Sequence, residues 1–299
     1  MKVAITGASG LVGSALLNAL GSDGHRIVRL VRPGGTVLAD DVRWNPAAGE
    51  LDAATLEGCD AVVNLAGASI GEGRWSEARK KILRDSRVDS TRALVSGLAR
   101  LNHKPQVLVA ASAVGYYGDR GDEVLSEASG PGDDFLAKLA CEWEAEARRA
   151  EASGIRTVIL RFGMILSAHG GALPRMLMPF RMGVGGRLGS GKQWMSWLTL
   201  GEAADLIRYA IEHAELRGPV NAVSPNPVRN AEFTRVLACV LRRPALFPAP
   251  AFALRLMLGE MADALLLSSQ RVAPRKLEAI GYSFRNPNLE AALRVLLGR

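Results

Sequence analysis

A chain of 299 residues, 48% hydrophobic and 22% charged, can bury a large core and has the composition of a globular enzyme. Its net charge of +7 is scattered without a basic block, which excludes a nucleic-acid binder of the usual kind and favours a small anionic ligand. Cys59, Cys141 and Cys239 lie too far apart for a metal set and are odd in number for a disulfide framework, so a reduced, cytoplasmic setting without a bound metal is expected.

Short apolar runs at residues 3–5, 26–31, 61–65, 106–111 and 157–161 read as strands. Between them, helical apolar spacing falls at 11–21, 76–101 and 134–152. That rhythm predicts an α/β fold with a doubly wound parallel sheet of the Rossmann type. Residues 167–193 are rich in glycine with isolated cations and read as long loops around a ligand cleft. A proline-rich joint at 244–250 then leads into a helical tail. The expected division is a nucleotide-binding domain over 1–243 and a smaller C-terminal lobe over 244–299. Residues 249–269 are apolar but carry Arg255, Glu260 and Asp263, which predicts a buried helix rather than a membrane span. The N-terminal apolar stretch is broken by glycines and is not read as a signal peptide.

The first strand runs directly into Thr6-Gly7-Ala8-Ser9-Gly10-Leu11-Val12-Gly13 and then into a helix. Glycines there allow a tight turn and close backbone approach, and the helix start offers amides to a pyrophosphate. Gly7, Ser9, Gly10, Leu11, Val12 and Gly13 are therefore expected to hold a dinucleotide. The second strand, with Arg29 as a solvated residue, ends at Arg32, where an NAD-selective fold places a carboxylate on the ribose hydroxyls; the next acidic residue is Asp40. A guanidinium at that position pairs with a 2′-phosphate, which favours NADP(H) over NAD(H). Leu65, Ala66 and Gly67 end the next strand in small residues against which a flat ring system can lie. Ser112 stands at the carboxyl end of the strand after it, where doubly wound folds gather ligands.

With its G-x-x-G-x-x-G turn, Asn64-Leu-Ala-Gly67, Gly115-Tyr-Tyr-Gly-Asp119, the stretch 189–197, Asn221 to Asn230 and the tail 269–276, the chain resembles the atypical extended short-chain dehydrogenase/reductases. Within them it is similar to the NAD(P)-dependent epimerase-family branch of the YfcH type, with a small C-terminal domain of unknown function. The resemblance implies NADP(H) binding and a helix-mediated homodimer. It also implies that Ser112 orients a substrate oxygen. The superfamily's Tyr-x-x-x-Lys pair is not restored here: Lys138 matches the lysine that touches the nicotinamide ribose, but Asp134 occupies the tyrosine position, and a shifted register offers only Ala137 and Cys141. An aspartate could shuttle a proton at neutral pH only with a strongly raised pKa. Tyr116 and Tyr117 are the phenols nearest Ser112. Arg87 replaces the family's active-site asparagine and could hold a substrate carboxylate or phosphate. Trp194 and Trp197 are either stacking platforms or core.

Two readings follow. One is an epimerase or oxidoreductase acting on a small, anionic hydroxyl- or carbonyl-bearing substrate, with Ser112, Lys138, Tyr116, Tyr117 and Arg87 as candidate catalytic groups. The other is a catalytically degenerate NADPH-binding sensor or scaffold. Neither involves nucleic acid or a membrane.

Overall fold

The computed structural model of the chain describes residues 1–38, 41–46, 48 and 50–299; Asp40 lies outside them. The strands are β1 (Lys2–Thr6), β2 (Arg26–Val31), β3 (Val42–Asn45), β4 (Glu50–Leu51), β5 (Ala61–Asn64), β6 (Val107–Ala113) and β7 (Val124–Leu125). They continue with β8 (Arg156–Phe162), β9 (Met164–Leu166), β10 (Trp194–Met195), β11 (Trp197–Thr199), β12 (Gly218–Ala222), β13 (Val228–Arg229) and β14 (Arg271–Val272). The helices are α1 (Leu11–Ser22), α2 (Glu77–Asp85), α3 (Val88–Ala99), α4 (Phe135–Arg148), α5 (Ala172–Arg181) and α6 (Leu200–Glu212). After them come α7 (Asn230–Leu241), α8 (Ala251–Leu258), α9 (Glu260–Ala262), α10 (Arg275–Ala279) and α11 (Leu289–Leu297).

Seven strands form one parallel sheet in the order β12-β8-β6-β5-β1-β2-β3, and β4 adds antiparallel to β3 at the edge. The central strands are unbroken apolar runs because both faces are covered. Val3, Ile5 and Val63 pack with Leu16, Leu20, Leu206 and Ile207 of α1 and α6 on one side. Ala4, Val62 and Leu108 pack with Leu94 and Leu98 of α3 on the other. The strand order reverses between β1 and β5, so the crevice above their carboxyl ends is where such a sheet receives a ligand. The expected doubly wound sheet is therefore present, with the five expected strands at β1, β2, β5, β6 and β8.

Four details differ from expectation. The helix expected over 76–101 is two, because the chain breaks at Ser86 and Arg87: Ser86 Oγ donates to Leu83 O at 3.1 Å and accepts from Ala68 N at 3.0 Å. Within the expected loops at 167–193 lies α5, which forms despite Pro179 because Leu173, Leu177 and Phe180 bury one face against Trp197 and Phe233. Arg29 is not simply solvated but held by Asp41, whose Oδ1 accepts from its Nε at 2.8 Å. Finally, the apolar segment beginning at 249 is not a buried helix. No residue of α8 is buried, and Phe252, Leu256 and Met257 are 73%, 77% and 70% exposed, because no element packs over that face.

The small C-terminal region is stitched to the rest of the chain. β14 pairs with β7, Leu277 joins the core of the main sheet, and Leu289, Ala292 and Leu293 of α11 pack with Phe233 and Leu237 of α7. Among the described residues no helix is long and apolar enough to cross a membrane.

Candidate functional site

The glycine turn is dictated by close contact. Gly7 has a φ of +67°, and a Cβ built on it would lie 2.5 Å from Leu65 O; at Gly13 it would lie 2.3 Å from Gly7 O. Gly10 N donates to Gly7 O at 2.9 Å, and Gly10 stands exposed beside Ser9 at the start of α1. No side chain caps α1, and its first turn, with half-buried Leu11 and Val12, carries no acidic residue. The free amides and the positive helix end therefore fit an anionic group, as a dinucleotide pyrophosphate requires. Arg32 lies immediately past β2, exposed and without a carboxylate partner among the described residues.

A buried polar chain, in which Thr6 and Asn64 belong to motifs read from the sequence, fixes the facing strand end. Thr6 Oγ1 donates to Asn64 Oδ1 at 2.7 Å and accepts from Leu65 N and Ala66 N at 3.1 and 3.2 Å. Asn64 Nδ2 donates to Thr91 Oγ1 at 2.8 Å, and Trp143 Nε1 to the same oxygen at 3.0 Å. Leu65 and Ala66 are thus held against the Gly7 turn by bonds reaching α3 and α4. Thr91 and Trp143, each inside a helix, carry no sequence signal of this link.

Beyond Gly67 the chain has no regular structure, and side chains satisfy its backbone. Four consecutive carbonyls accept from four side chains: Ala68 O from Arg87 at 2.9 Å, Ser69 O from Arg79 at 2.5 Å, Ile70 O from Trp75 at 3.0 Å, and Gly71 O from Arg175 at 2.6 Å. Arg87 also donates to Leu83 O at 3.1 Å and lies over the Trp143 ring at 5.4 Å. Burial, with the like charge of Arg79, pushes its pKa down to about 10. No carboxylate pairs with Arg87 among the described residues, and the Arg79 Nε is buried without a hydrogen-bond partner. The break between α2 and α3 aims Arg87 at this loop.

Ser112 and Tyr117, expected as site groups, belong to a buried ion network. Ser112 is 3% exposed and its Oγ donates to Glu144 Oε1 at 2.7 Å. Arg161 grips the same carboxylate twice, Nε to Oε1 and Nη2 to Oε2, each at 2.8 Å, and donates to the Tyr117 hydroxyl at 3.0 Å. Tyr117 in turn donates to Asn221 Oδ1 at 2.6 Å. Burial works against the Arg161 charge, but Glu144 outweighs it and holds the pKa above its ordinary value; burial likewise pushes Tyr117 up. Both hydroxyls donate to protein acceptors, Ser112 to Glu144 and Tyr117 to Asn221. Tyr116 is half-buried, with its ring 3.5 Å from the Arg161 guanidinium carbon, and its hydroxyl has no protein partner among the described residues. Lys138 is exposed on α4, also without a partner among them.

Asp134 is occupied structurally, since its Oδ1 accepts from Ala137 N at 2.8 Å and caps α4. Trp197 is fully buried, which removes it as a stacking platform, while Trp194 lies between Arg229 and Arg271 with ring distances of 4.8 and 4.5 Å. Among the described residues no group of three His, Cys, Asp or Glu could hold a metal ion.

Known proteins share both the fold and the sequence of this chain. Residues 3–223 match the profile of the NAD dependent epimerase/dehydratase family, and residues 249–296 match a domain of unknown function, DUF1731. The epimerase family protein Mb2239 of Mycobacterium bovis is 44% identical over 97% of this chain and 96% of its own length. The epimerase family protein YfhF of Bacillus subtilis is 39% identical over 99% and 98%. The human epimerase family protein SDR39U1, solved with NADPH, superposes with a TM-score of 0.91 at 34% identity, covering both chains fully. MoeE5, solved with UDP-glucose and NAD, shares the fold at a TM-score of 0.78 and 19% identity. On the strength of the glycine turn, the doubly wound sheet and these matches, the chain belongs to the NAD dependent epimerase/dehydratase family, in the branch that carries the DUF1731 domain at its C-terminus.

Proposed function

We propose that the protein binds NADP(H) in preference to NAD(H) and acts on a small anionic substrate bearing a hydroxyl or carbonyl group. The observation that carries the cofactor preference is Arg32, an exposed guanidinium immediately past β2 with no ion pair among the described residues. A 2′-phosphate there gains a bidentate partner, and the carboxylate that would grip a ribose hydroxyl is not at that position. The NADPH in human SDR39U1 supports the same preference. In this reading Gly7, Ser9, Gly10, Leu11, Val12 and Gly13 cradle the pyrophosphate, and Leu65, Ala66 and Gly67 lie along the cofactor.

Bound NADP(H) supplies or takes up a hydride. The chain's own residues bind, orient and supply the electrostatics. Arg87, with no pairing carboxylate among the described residues, and Arg79, which reaches Glu72 only at 3.8 Å, bring positive charge to the loop after Gly67, which favours a substrate carboxylate or phosphate. Ser112 and Tyr117 act by position, holding the ends of β6 and β8 in register through Glu144 and Arg161. The Tyr116 hydroxyl and Lys138, without a hydrogen-bond or ion-pair partner among the described residues, are the groups left to meet a ligand. A second reading, a cofactor-binding protein without turnover, is favoured by the inward Ser112–Glu144 bond and by the capping role of Asp134.

Titration with NADPH and NADH tests the cofactor claim. The Arg32→Ser variant is expected to lose NADPH affinity by roughly tenfold to a hundredfold, the value of a charge-assisted pair, and to leave NADH unchanged. Equal affinities in the unaltered protein would refute it. Tritium transfer from labelled NADPH to a panel of anionic carbonyl compounds separates the two readings: transfer supports turnover, and tight NADPH binding with no transfer supports the second.

A further inference from the structure

The far end of α7, the chain that follows it and the loop after α5 line an open hollow of about 790 Å³ that includes none of the residues assigned to the cofactor. Four arginines line it: Arg187 from the loop after α5, Arg235 on α7, and Arg242 and Arg243 at its end. No acidic residue lines it, and none of the four has an ion pair or side-chain hydrogen bond among the described residues. Several surface arginines elsewhere are matched, Arg84 with Glu142, Arg92 with Glu146, Arg208 with Asp23, and Arg294 with Glu290, and the unmatched ones such as Arg32 do not share a hollow with three others. Four unmatched, solvent-exposed guanidinium groups lining one hollow give it a positive potential that favours an anionic occupant.

Helix capping does not account for them. The last carbonyls of α7 are already satisfied by backbone: Arg242 N donates to Cys239 O and Arg243 N to Ala238 O, both at 3.0 Å. Arg242 is also the one non-glycine residue with a positive φ, 53°, among the described residues, a position where glycine would cost less. The rim is stiffened by Pro244 and Pro248, which limits the ordering that binding would require. The volume is that of a small-molecule site.

We propose that this cavity binds a small polyanion carrying two or more phosphate groups. Planar guanidinium donors from three segments lining one hollow suit several phosphate oxygens at once, and the walls of Ala231, Ala238 and Leu246 accept an apolar portion of the same molecule. The site is separate from the glycine turn, so it adds a second anion-binding function to the chain.

Cys239 lines the cavity and is exposed, which gives a local readout. Its alkylation by neutral iodoacetamide, mapped by mass spectrometry with Cys141 as internal reference, is measured with sodium tripolyphosphate and with sodium chloride at equal ionic strength. Saturable slowing of Cys239 by tripolyphosphate alone is expected. The double variant Arg242→Gly, Arg243→Gln should weaken that protection at least about tenfold, the loss of one charge-assisted pair or more. Replacing Arg242 with glycine relieves the left-handed backbone, so the variant should fold, and an unchanged thermal midpoint and NADPH affinity check this. Protection no greater than that given by chloride would overturn the proposal. So would protection unaltered in the double variant, or protection by heparin or anionic vesicles with none by tripolyphosphate.

Discussion

Replacing Glu144 with glutamine probes the network that joins β6, β8 and α4. The carboxylate accepts three bonds in the interior, from Ser112 Oγ, Arg161 Nε and Arg161 Nη2, and both charged side chains are nearly inaccessible, at 2% and 1% exposure. Removing one partner of a buried pair leaves the other charge uncompensated, which costs about 3–5 kcal/mol. The Tyr117 hydroxyl and the Tyr116 ring still hold the Arg161 guanidinium, which places the expected loss near the lower end, about 3 kcal/mol. The Arg148 contact at 3.4 Å adds little, since Arg148 is half in solvent. Against a typical total of about 5–15 kcal/mol this is a large fraction, readable as a fall in urea midpoint at unchanged slope. A partner experiment removes both charges, Glu144→Leu with Arg161→Met. Its cost should fall short of the summed single costs by at least about 2 kcal/mol, because neither buried charge is left alone. A loss below about 1 kcal/mol for Glu144→Gln, or strict additivity in the double variant, would refute the reasoning.

Three further outcomes are expected. Asp41 is held below its ordinary pKa by the Arg29 hydrogen bonds, so its contribution to stability is present above the unfolded carboxylate value of about 4 and fades as pH falls through the lower folded value; Asp41→Asn should destabilise the protein at pH 7 and match the parent near pH 2 in denaturant titrations. Gly13→Ala and Gly10→Ala should separate two roles: a Cβ at 13 meets Gly7 O at 2.3 Å and should lower the thermal midpoint, whereas one at 10 meets only Gly7 O at 3.2 Å and should reduce NADPH affinity at nearly unchanged stability. Leu293→Ala, in the cluster shared by α11 and α7, should cost about 2–5 kcal/mol by equilibrium unfolding, and a loss under about 1 kcal/mol would mean that the C-terminal region is not part of the main core.

The parallel sheet is legible in the sequence because strands covered on both faces must be apolar throughout, as in Ala61-Val-Val-Asn64. Its edges are not. In β3 the burial alternates over four residues, and β12 opens with Gly218 and Pro219, which read as a turn. Pro179 and the surrounding glycines hide α5, whose stability comes from three apolar residues meeting a core assembled from later sequence. The apolar composition of α8 is plain to read, but whether anything covers it is a property of the rest of the chain. Within the site the division is similar. The glycine turn can be read because backbone crowding restricts what residue fits. The commitment of Ser112 to Glu144, and the clamp from Arg175 on Gly71, join positions far apart in sequence, and nothing local announces them.

Of the four clamps on that irregular loop, three come from within twenty residues of it, from Trp75, Arg79 and Arg87. The fourth, from Arg175 to Gly71, joins residues 104 positions apart and ties the loop to α5. It is a single solvent-exposed hydrogen bond, worth about 1 kcal/mol or less. Separating α5 from the loop at this point is therefore an event of small thermal cost, whereas distorting the loop itself would break several bonds together.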